Sequence, residues 1–93
     1  MNQTLHVRII SPQQLILDTN ADSVSSKNSQ GSFDILSEHA NFITVIENQP
    51  IIIRIKGQKA LTFKFPVAII YVQQNKVDIY TYIQPQEQVK SVK

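Results

Sequence analysis

The sequence predicts an all-β protein of about eight to ten short strands, arranged as a sandwich or a barrel. Three observations support this prediction. The dominant hydrophobic period is two residues, as in strands that turn one face toward a core. Val, Ile, Thr, Phe and Tyr fill the periodic runs, and Gly, Pro and Asn separate them. No segment carries a convincing helical stripe, and so many strands in 93 residues exceed what one flat sheet accommodates.

The N-terminal segment shows the alternation first. TLHVRII places Leu5, Val7 and Ile9 on one face and His6 and Arg8 on the other. The strand QLILD continues the pattern after a predicted Ser-Pro turn. His6 is therefore expected on the solvent side of a strand, where a role as ligand or general base is the weaker alternative.

The segment GSFDILSEHANFITVI combines apolar residues with two acids and a histidine. Phe33 and Ile35 share one face of a predicted strand, so Asp34 alternates outward. Glu38 and His39 fall in the following turn. A metal or catalytic cluster of these three side chains is one interpretation. The stronger one is a strand followed by a turn, with His39 hydrogen-bonded to a nearby backbone carbonyl.

A hairpin is predicted around the glycine of KGQK. Its two apolar faces match only across a loop with an odd number of residues, which indicates Gly57-Gln58-Lys59. Such a loop usually contains one left-handed residue, and Gly57 is the only glycine there. The predicted cross-strand pairs are Ile55 with Leu61, Ile53 with Phe63, and Ile51 with Phe65.

A second hairpin is predicted around VQQNKV, with Gln74-Asn75 as a two-residue turn. This even register brings apolar residues together on the core face. The predicted pairs on that face are Val72 with Val77, Ile70 with Ile79, and Ala68 with Thr81.

The other face of the second hairpin is also apolar. It carries Ile69 opposite Tyr80 and Val67 opposite Tyr82. Another part of the chain or a partner protein is expected to cover this face. The alternative is that the two tyrosines are edge-strand aromatics with hydrated hydroxyl groups.

The length favours one domain with one core, which we expect to span residues 1–84. A short polar tail without structure of its own is predicted at 85–93. The N-terminal segment, the GSFDIL strand and the strands of both hairpins share the same alternation, so we predict a two-layer sandwich. The predicted core contains Val7, Ile9, Phe33, Ile35, Ile53, Phe63, Ile70 and Val77.

Composition excludes several chemistries. The chain has no cysteine, so disulfides, thiolate zinc sites and cysteine nucleophiles are absent. With two glycines it has no glycine-rich phosphate loop, and its two histidines lack the HExxH spacing. The N-terminus does not look like a signal peptide, and the longest apolar run, VAIIYV, is far shorter than a membrane helix. We therefore expect a soluble or peripheral protein that is not an enzyme and has no cofactor or metal.

The charge leaves one alternative function open. The net charge is +2 and the isoelectric point is near 9.0, which suits a small β-barrel that binds single-stranded nucleic acid. Arg54, Lys56, Lys59 and Lys64 form the basic cluster that such a module would use. However, charges are nearly balanced before residue 85, with seven basic and six acidic residues. The neighbouring phenylalanines also fall on the core face, so no nucleic-acid partner is expected.

Four segments together resemble the N-terminal β-domain of the epsilon subunit of F-type ATP synthases, which is called delta in mitochondria. They occur in the same order and at the same spacings, over about residues 4–84. The most specific part is Gly31, Ile35 and Leu36, followed by His39 and Ala40. Relatives usually read closer to GELGILPGHAPLLT. The segments are LHVRIISPQQLILDTNADSV, GSFDILSEHANFITVI, IIIRI and YVQQNKVDIYT.

The chain departs from the family pattern at several positions. Ser32 stands where an acidic residue is usual, and Asp34 stands where the second glycine is usual. Ser37-Glu38 replaces Pro-Gly, and Pro66-Val67-Ala68 replaces Ser-Gly-Gly. Many relatives continue into two α-helices that bind ATP and block rotation. Since few residues follow position 84, we expect no such hairpin and no ATP-driven inhibition by this chain.

The resemblance implies a flattened β-sandwich that works as a non-catalytic rotor subunit. Its partners would be the gamma subunit and the c-ring of a proton- or sodium-translocating ATP synthase. Membrane association would come only through that complex, at the cytoplasmic face of an energy-transducing membrane. The subunit would transmit torque by staying rigid and adhering to both partners.

The resemblance also implies two contact sites. Ser32, Glu38 and His39 are expected to meet the polar loops of the c-ring. Ser32 and His39 can approach at one end of the sandwich only if a second turn folds beside the one that His39 closes. Glu38 is expected to replace the acid missing at position 32. The gamma subunit is expected to contact the second apolar face of the VAIIYV hairpin, through Val67, Ile69, Tyr80 and Tyr82.

Overall fold

The computed structural model describes residues 4–82, and within that range it contains nine strands and no helix. This confirms the all-β prediction and the expected number of strands. The strands are β1 (Leu5–Ile10), β2 (Leu15–Ala21), β3 (Ser23–Asn28), β4 (Gly31–Leu36), β5 (Phe42–Glu47), β6 (Pro50–Arg54), β7 (Leu61–Lys64), β8 (Val67–Gln73) and β9 (Lys76–Tyr80).

The strands form two sheets that pack as a sandwich. The five-stranded sheet has the order β2-β1-β9-β8-β5, and the four-stranded sheet has the order β4-β3-β6-β7. All neighbouring strands are antiparallel except β1 and β9, which run parallel. We call the end with the turns at 37–41 and 74–75 and the loop 55–60 the lower end. The turns at 11–14, 29–30 and 48–49 lie at the upper end.

The core lies between the two sheets and follows from the alternation. Each strand turns every second side chain inward, so short β-branched residues fill the space. Burying one Val, Leu or Ile side chain stabilises the fold by about 1.5–3 kcal/mol. The buried apolar residues are Leu5, Val7, Ile9, Ala21, Val24, Ile35, Ile46, Ile51, Ile53, Phe65, Ala68, Ile70, Val72, Val77 and Ile79.

Two of the eight predicted core residues are only half-buried. Phe33 and Phe63 pack against the core from its margin, whereas the other six are fully buried. Phe33 contacts Phe42 edge to face, with ring centroids 5.4 Å apart. Phe63 stacks on Phe65 with centroids 6.2 Å apart. The two half-buried phenylalanines lie on β4 and β7, the edge strands of the four-stranded sheet, where one flank has no neighbouring strand within residues 4–82.

The predicted register of the first hairpin is wrong by two residues. Ile53 pairs with Leu61, and Ile51 pairs with Phe63. The residues on each face are as predicted, because a shift of two preserves the alternation. The connection is correspondingly longer, at residues 55–60. Gly57 has a positive φ of 78°, and the amide of Gln58 donates to the carbonyl of Ile55 over 3.0 Å.

The second hairpin is confirmed over the length of β9: three of its five predicted pairs are observed, and the other two involve Thr81 and Tyr82, which lie beyond the end of that strand. Val72 pairs with Val77, and Ile69 pairs with Tyr80. Gln74 and Asn75 form the two-residue turn with φ values of 51° and 66°. Two consecutive left-handed residues are typical of a type I′ turn, which matches the twist of the flanking strands.

The predicted tail at 85–93, and the expectation that no helical hairpin follows, lie outside the described residues. Residues 4–82 contain no helix long and apolar enough to cross a membrane.

Candidate contact surfaces

The outer face of the five-stranded sheet is organised in rows, because residues paired across neighbouring strands project on the same side. The uppermost row that crosses all five strands is apolar on every strand. It consists of Leu15, Ile10, Tyr80, Ile69 and Val45, in the order of the strands.

This apolar row belongs to a larger exposed surface. Eight large hydrophobic side chains are exposed among the described residues, and seven of them project from this one face. The exception is Leu36, on the other sheet. We call the seven the apolar face. They are Leu15, Ile43, Val45, Ile69, Tyr71, Tyr80 and Tyr82.

All four side chains predicted to face the gamma subunit come together on this surface. Val67, Ile69, Tyr80 and Tyr82 line one cleft of about 330 Å³ at the upper end. The cleft continues onto Ile10 and the turn that follows it. A concave apolar site of this kind accepts a protruding side chain better than a flat surface does.

Sequence reasoning missed the β5 side of the apolar face. Ile43 pairs with Tyr71, and Val45 pairs with Ile69, so both β5 residues extend the face to the edge of the sheet. They are 65% and 51% exposed. The signal was present in FITVI, which is apolar on both faces, as VAIIYV is.

Below the apolar row, a charged row covers β2, β1 and β9, whereas β8 and β5 carry Tyr71 and Ile43 at the same level. Arg8 donates two hydrogen bonds to Asp78, from Nε to Oδ1 at 3.0 Å and from Nη2 to Oδ2 at 3.2 Å. The hydrogen bond and the charge of Asp78 raise the pKa of Arg8. The Tyr80 hydroxyl lies 3.5 Å from Asp78 Oδ2, which joins the charged row to the apolar one. A partner seated on the apolar face therefore meets a fixed ion pair at its border.

His6 continues the polar part of this face toward the lower end. Its Nε2 lies 2.8 Å from Asp18 Oδ1, and its Nδ1 lies 3.1 Å from Asn20 Oδ1. The ring is exposed, which confirms the prediction of a solvent-side strand residue.

The turn between β4 and β5 is held at the lower end by the next turn beside it. The backbone amide of Glu38 donates to the side-chain Oδ1 of Asn75. Glu38 has a positive φ of 65°, a conformation that favours glycine. Its carboxylate is exposed and forms no ion pair with another described residue.

His39 is a structural turn residue, as predicted. Its amide donates to the carbonyl of Leu36 over 3.1 Å. Its Nδ1 lies 2.8 Å from the carbonyl of Ala40, so Nδ1 carries the proton and donates. The imidazole also packs edge to face on Phe42, with centroids 5.5 Å apart.

Ser32 does not approach His39, so that expectation is wrong. Ser32 pairs with Lys27 near the upper end of β4, whereas Leu36 pairs with Ser23 at the lower end. A strand rises roughly 3.3 Å per residue, so Ser32 and Leu36 are separated by roughly 13 Å. Ser32 is connected to the turn at 37–41 only along β4, which is an edge strand.

Asp34 lies on the outer face of β4, as predicted, and is engaged in a polar network. The hydroxyl of Ser25 donates to Asp34 Oδ1, and Arg54 Nη1 donates to the same hydroxyl oxygen over 2.7 Å. Among residues 4–82, no three His, Cys, Asp or Glu side chains are grouped closely enough to hold a metal ion.

The aromatic residues beside the basic cluster face the interior. Phe65 is buried, and Phe63 stacks on it within the sandwich. Phe63 is half-buried and stacked on Phe65, so these two rings are less suited to base stacking than exposed aromatics are.

Comparison with known proteins identifies the family of this sandwich. A family described as "ATP synthase, Delta/Epsilon chain, beta-sandwich domain" matches residues 4–82. The chain is 30% identical over 77 residues to the chloroplastic ATP synthase epsilon chain of Emiliania huxleyi, covering 82% of this chain and 58% of that one. It is 33% identical over 51 residues to the corresponding chain of Nephroselmis olivacea, covering 55% and 38%. The chain thus spans less than two thirds of the length of these relatives.

Solved structures share the fold at lower identity. One belongs to the Euglena gracilis mitochondrial ATP synthase, OSCP/F1/c-ring in rotational state 1, with a TM-score of 0.78, 14% identity, and coverage of 95% of this chain and 61% of that one. Another belongs to the central stalk and c-ring of the Tetrahymena thermophila mitochondrial ATP synthase, with a TM-score of 0.72, 17% identity, and coverage of 98% and 73%.

Proposed function

The chain belongs to the ATP synthase delta/epsilon family through its β-sandwich domain, and on that basis we propose that it is a non-catalytic rotor subunit of an F-type ATP synthase. It links the gamma subunit to the c-ring and supports the coupling of proton or sodium flow to ATP synthesis. The observation that carries this proposal is the apolar face, a large exposed surface on an otherwise closed sandwich.

A part that transmits torque must resist deformation, and the fold suits that task. Among residues 4–82, twelve Val, Leu and Ile side chains are almost completely buried between the sheets, and every described buried side-chain N or O atom has a hydrogen-bond partner. Such close-packed interiors have low compressibility and transmit strain. The subunit therefore acts through its shape and adhesion rather than through an activated side chain.

The gamma subunit is the proposed occupant of the apolar face. The cleft between Val67, Ile69, Tyr80 and Tyr82 takes a protruding apolar side chain of that partner. Exposed apolar surface of this extent marks protein contacts more often than free surface. The adjoining Arg8–Asp78 pair fixes orientation, since a charged border selects a complementary partner.

The c-ring is the proposed partner of the β4 side. Glu38 and His39 lie in the turn that follows the lower end of β4, and Ser32 lies near the upper end of that strand. The contact therefore runs along β4, rather than being gathered at one turn. Glu38 supplies the negative charge, so ring loops that carry Arg or Lys complement it. The protein would then sit peripherally at the cytoplasmic face of an energy-transducing membrane, held there by the complex.

Native pull-down with the tagged full chain tests the proposal directly. We expect the gamma and c subunits to co-purify with it from membranes that contain the synthase. Recovery of neither subunit, under conditions in which the rest of the synthase stays assembled, would overturn the proposed function.

A further inference from the structure

We propose that Asn75 is a positioning residue that fixes the Glu38 turn in one conformation for its partner. The link to the c-ring rests on the function proposed above, but the positioning itself rests on contacts within the chain. Asn75 and Glu38 lie in different turns and are 37 residues apart in sequence. Their hydrogen bond joins the two turns at the lower end of the sandwich.

The Glu38 turn needs such a restraint because its backbone is unfavourable. A positive φ of 65° brings the Cβ of a non-glycine residue close to a carbonyl oxygen. The amide that Asn75 binds belongs to this same residue. Without its acceptor, the amide turns to water and the segment is released to other conformations. The Glu38 carboxylate would then no longer be presented in one place.

Asn75 is itself placed on a rigid support. It occupies the second central position of the turn between β8 and β9, with a φ of 66°. Its carbonyl accepts a hydrogen bond from the amide of His6 over 2.8 Å. The strands on both sides of it reach fully buried residues within three positions, at Val72 and Val77. The side chain therefore extends from the framework to the exposed turn.

The residue type at position 75 supports the same conclusion. Glycine is strongly preferred at this position of a type I′ turn, because it adopts a positive φ without strain. Asparagine tolerates the conformation less well than glycine but carries an acceptor oxygen. The turn between β8 and β9 thus has asparagine where glycine would be less strained, and the asparagine side chain accepts the hydrogen bond from the Glu38 amide. A preorganised turn loses less conformational freedom when a partner binds it.

Amide hydrogen exchange in the full chain tests, without any partner, whether the hydrogen bond to Asn75 restrains the Glu38 turn; we call this restraint the clamp. Asn75→Gly should relax the turn around residue 75 but raise the exchange rate of the Glu38 amide at least about tenfold. Gln74→Gly is the matched control, since it relaxes the same turn and keeps the acceptor. Asn75→Asp also keeps an acceptor oxygen and should restore protection. Unchanged exchange in Asn75→Gly would overturn the inference.

Capture of the c-ring by the assembled subunit tests the purpose of the clamp. Asn75→Gly should reduce recovery of the c-ring about two- to fivefold and leave recovery of the gamma subunit unchanged. Gln74→Gly should leave both at the wild-type level. Faster exchange with normal recovery of the ring would refute the positioning role while leaving the clamp itself intact. Failure of the wild-type chain to recover the ring would refute the proposed function instead, whatever the exchange result.

Discussion

Ile69 lies directly opposite Tyr80 across β8 and β9, and both side chains are about 40% exposed on the outer face of the five-stranded sheet. The pair stands at the centre of the apolar row, with Val45 on one side and Ile10 on the other. A single charge placed there would disturb the whole cleft without entering the core.

Ile69→Asp should abolish or strongly weaken binding of the gamma subunit, since the carboxylate would lose its water in an apolar contact. The melting temperature of the isolated chain should change little. Thr62→Asp provides the control, because it adds the same charge on the outer face of the other sheet, where Thr62 is exposed. Titration of the gamma subunit by calorimetry measures both variants. Equal binding by the two would show that gamma does not occupy the apolar face.

Ile53→Ala and Phe63→Ala should separate the core from its margin. Ile53 is fully buried, so its truncation should lower the free energy of unfolding by about 2–5 kcal/mol. Phe63 is half-buried, so its truncation should have less effect than the 3–5 kcal/mol typical of a buried aromatic, at about 1–2.5 kcal/mol. Urea denaturation gives both values, provided that the free energy of unfolding falls with urea concentration at the same slope in each protein. A larger loss for Phe63 than for Ile53 would contradict the observed packing.

Glu38→Gly should stabilise the isolated chain by up to about 1 kcal/mol, because glycine adopts a φ of 65° without steric strain. The gain is limited by the greater freedom of glycine in the unfolded chain. Thermal unfolding of the two proteins side by side measures the difference. A destabilised Glu38→Gly variant would indicate that the side chain of Glu38 contributes to folding.

Glu38→Lys should weaken assembly with the c-ring and alter its dependence on salt, since it reverses the charge offered to the ring loops. The effect of a hydrated pair is modest, at about 0.5–1 kcal/mol. The melting temperature should stay close to that of the wild type, because the residue is exposed. Recovery of the c-ring over a salt series measures the effect. Stronger assembly of Glu38→Lys would contradict the proposal that Glu38 faces basic residues of the ring loops.

A cysteine at position 38 should form a disulfide with one in the polar loop of the c-ring when the complex is oxidised. A cysteine at the upper end, at Gln13, serves as the comparison. Gel analysis of the intact complex detects the product. Efficient cross-linking from position 13 with none from position 38 would place the ring at the upper end and overturn the proposed orientation.

Period-two alternation in the sequence already determined which face each strand buries. Val7, Ile9, Ile35, Ile53, Ile70 and Val77 all lie in the core, as predicted. The tight turn at Gln74-Asn75 was also predictable, because a two-residue loop leaves only one register that keeps both apolar faces together. The resemblance to a family was visible in the same segments.

Only the tertiary structure decided the relations that alternation leaves undetermined. A shift of two residues keeps every side chain on its face, so the register of β6 and β7 depended on how Ile53 and Leu61 pack. The parallel pairing of β1 with β9 joins segments 70 residues apart, and no local pattern encodes it. That pairing aligns Ile10 with Tyr80 and completes the apolar row. The separation of Ser32 from His39 and the hydrogen bond from Glu38 to Asn75 likewise depend on where distant strands end.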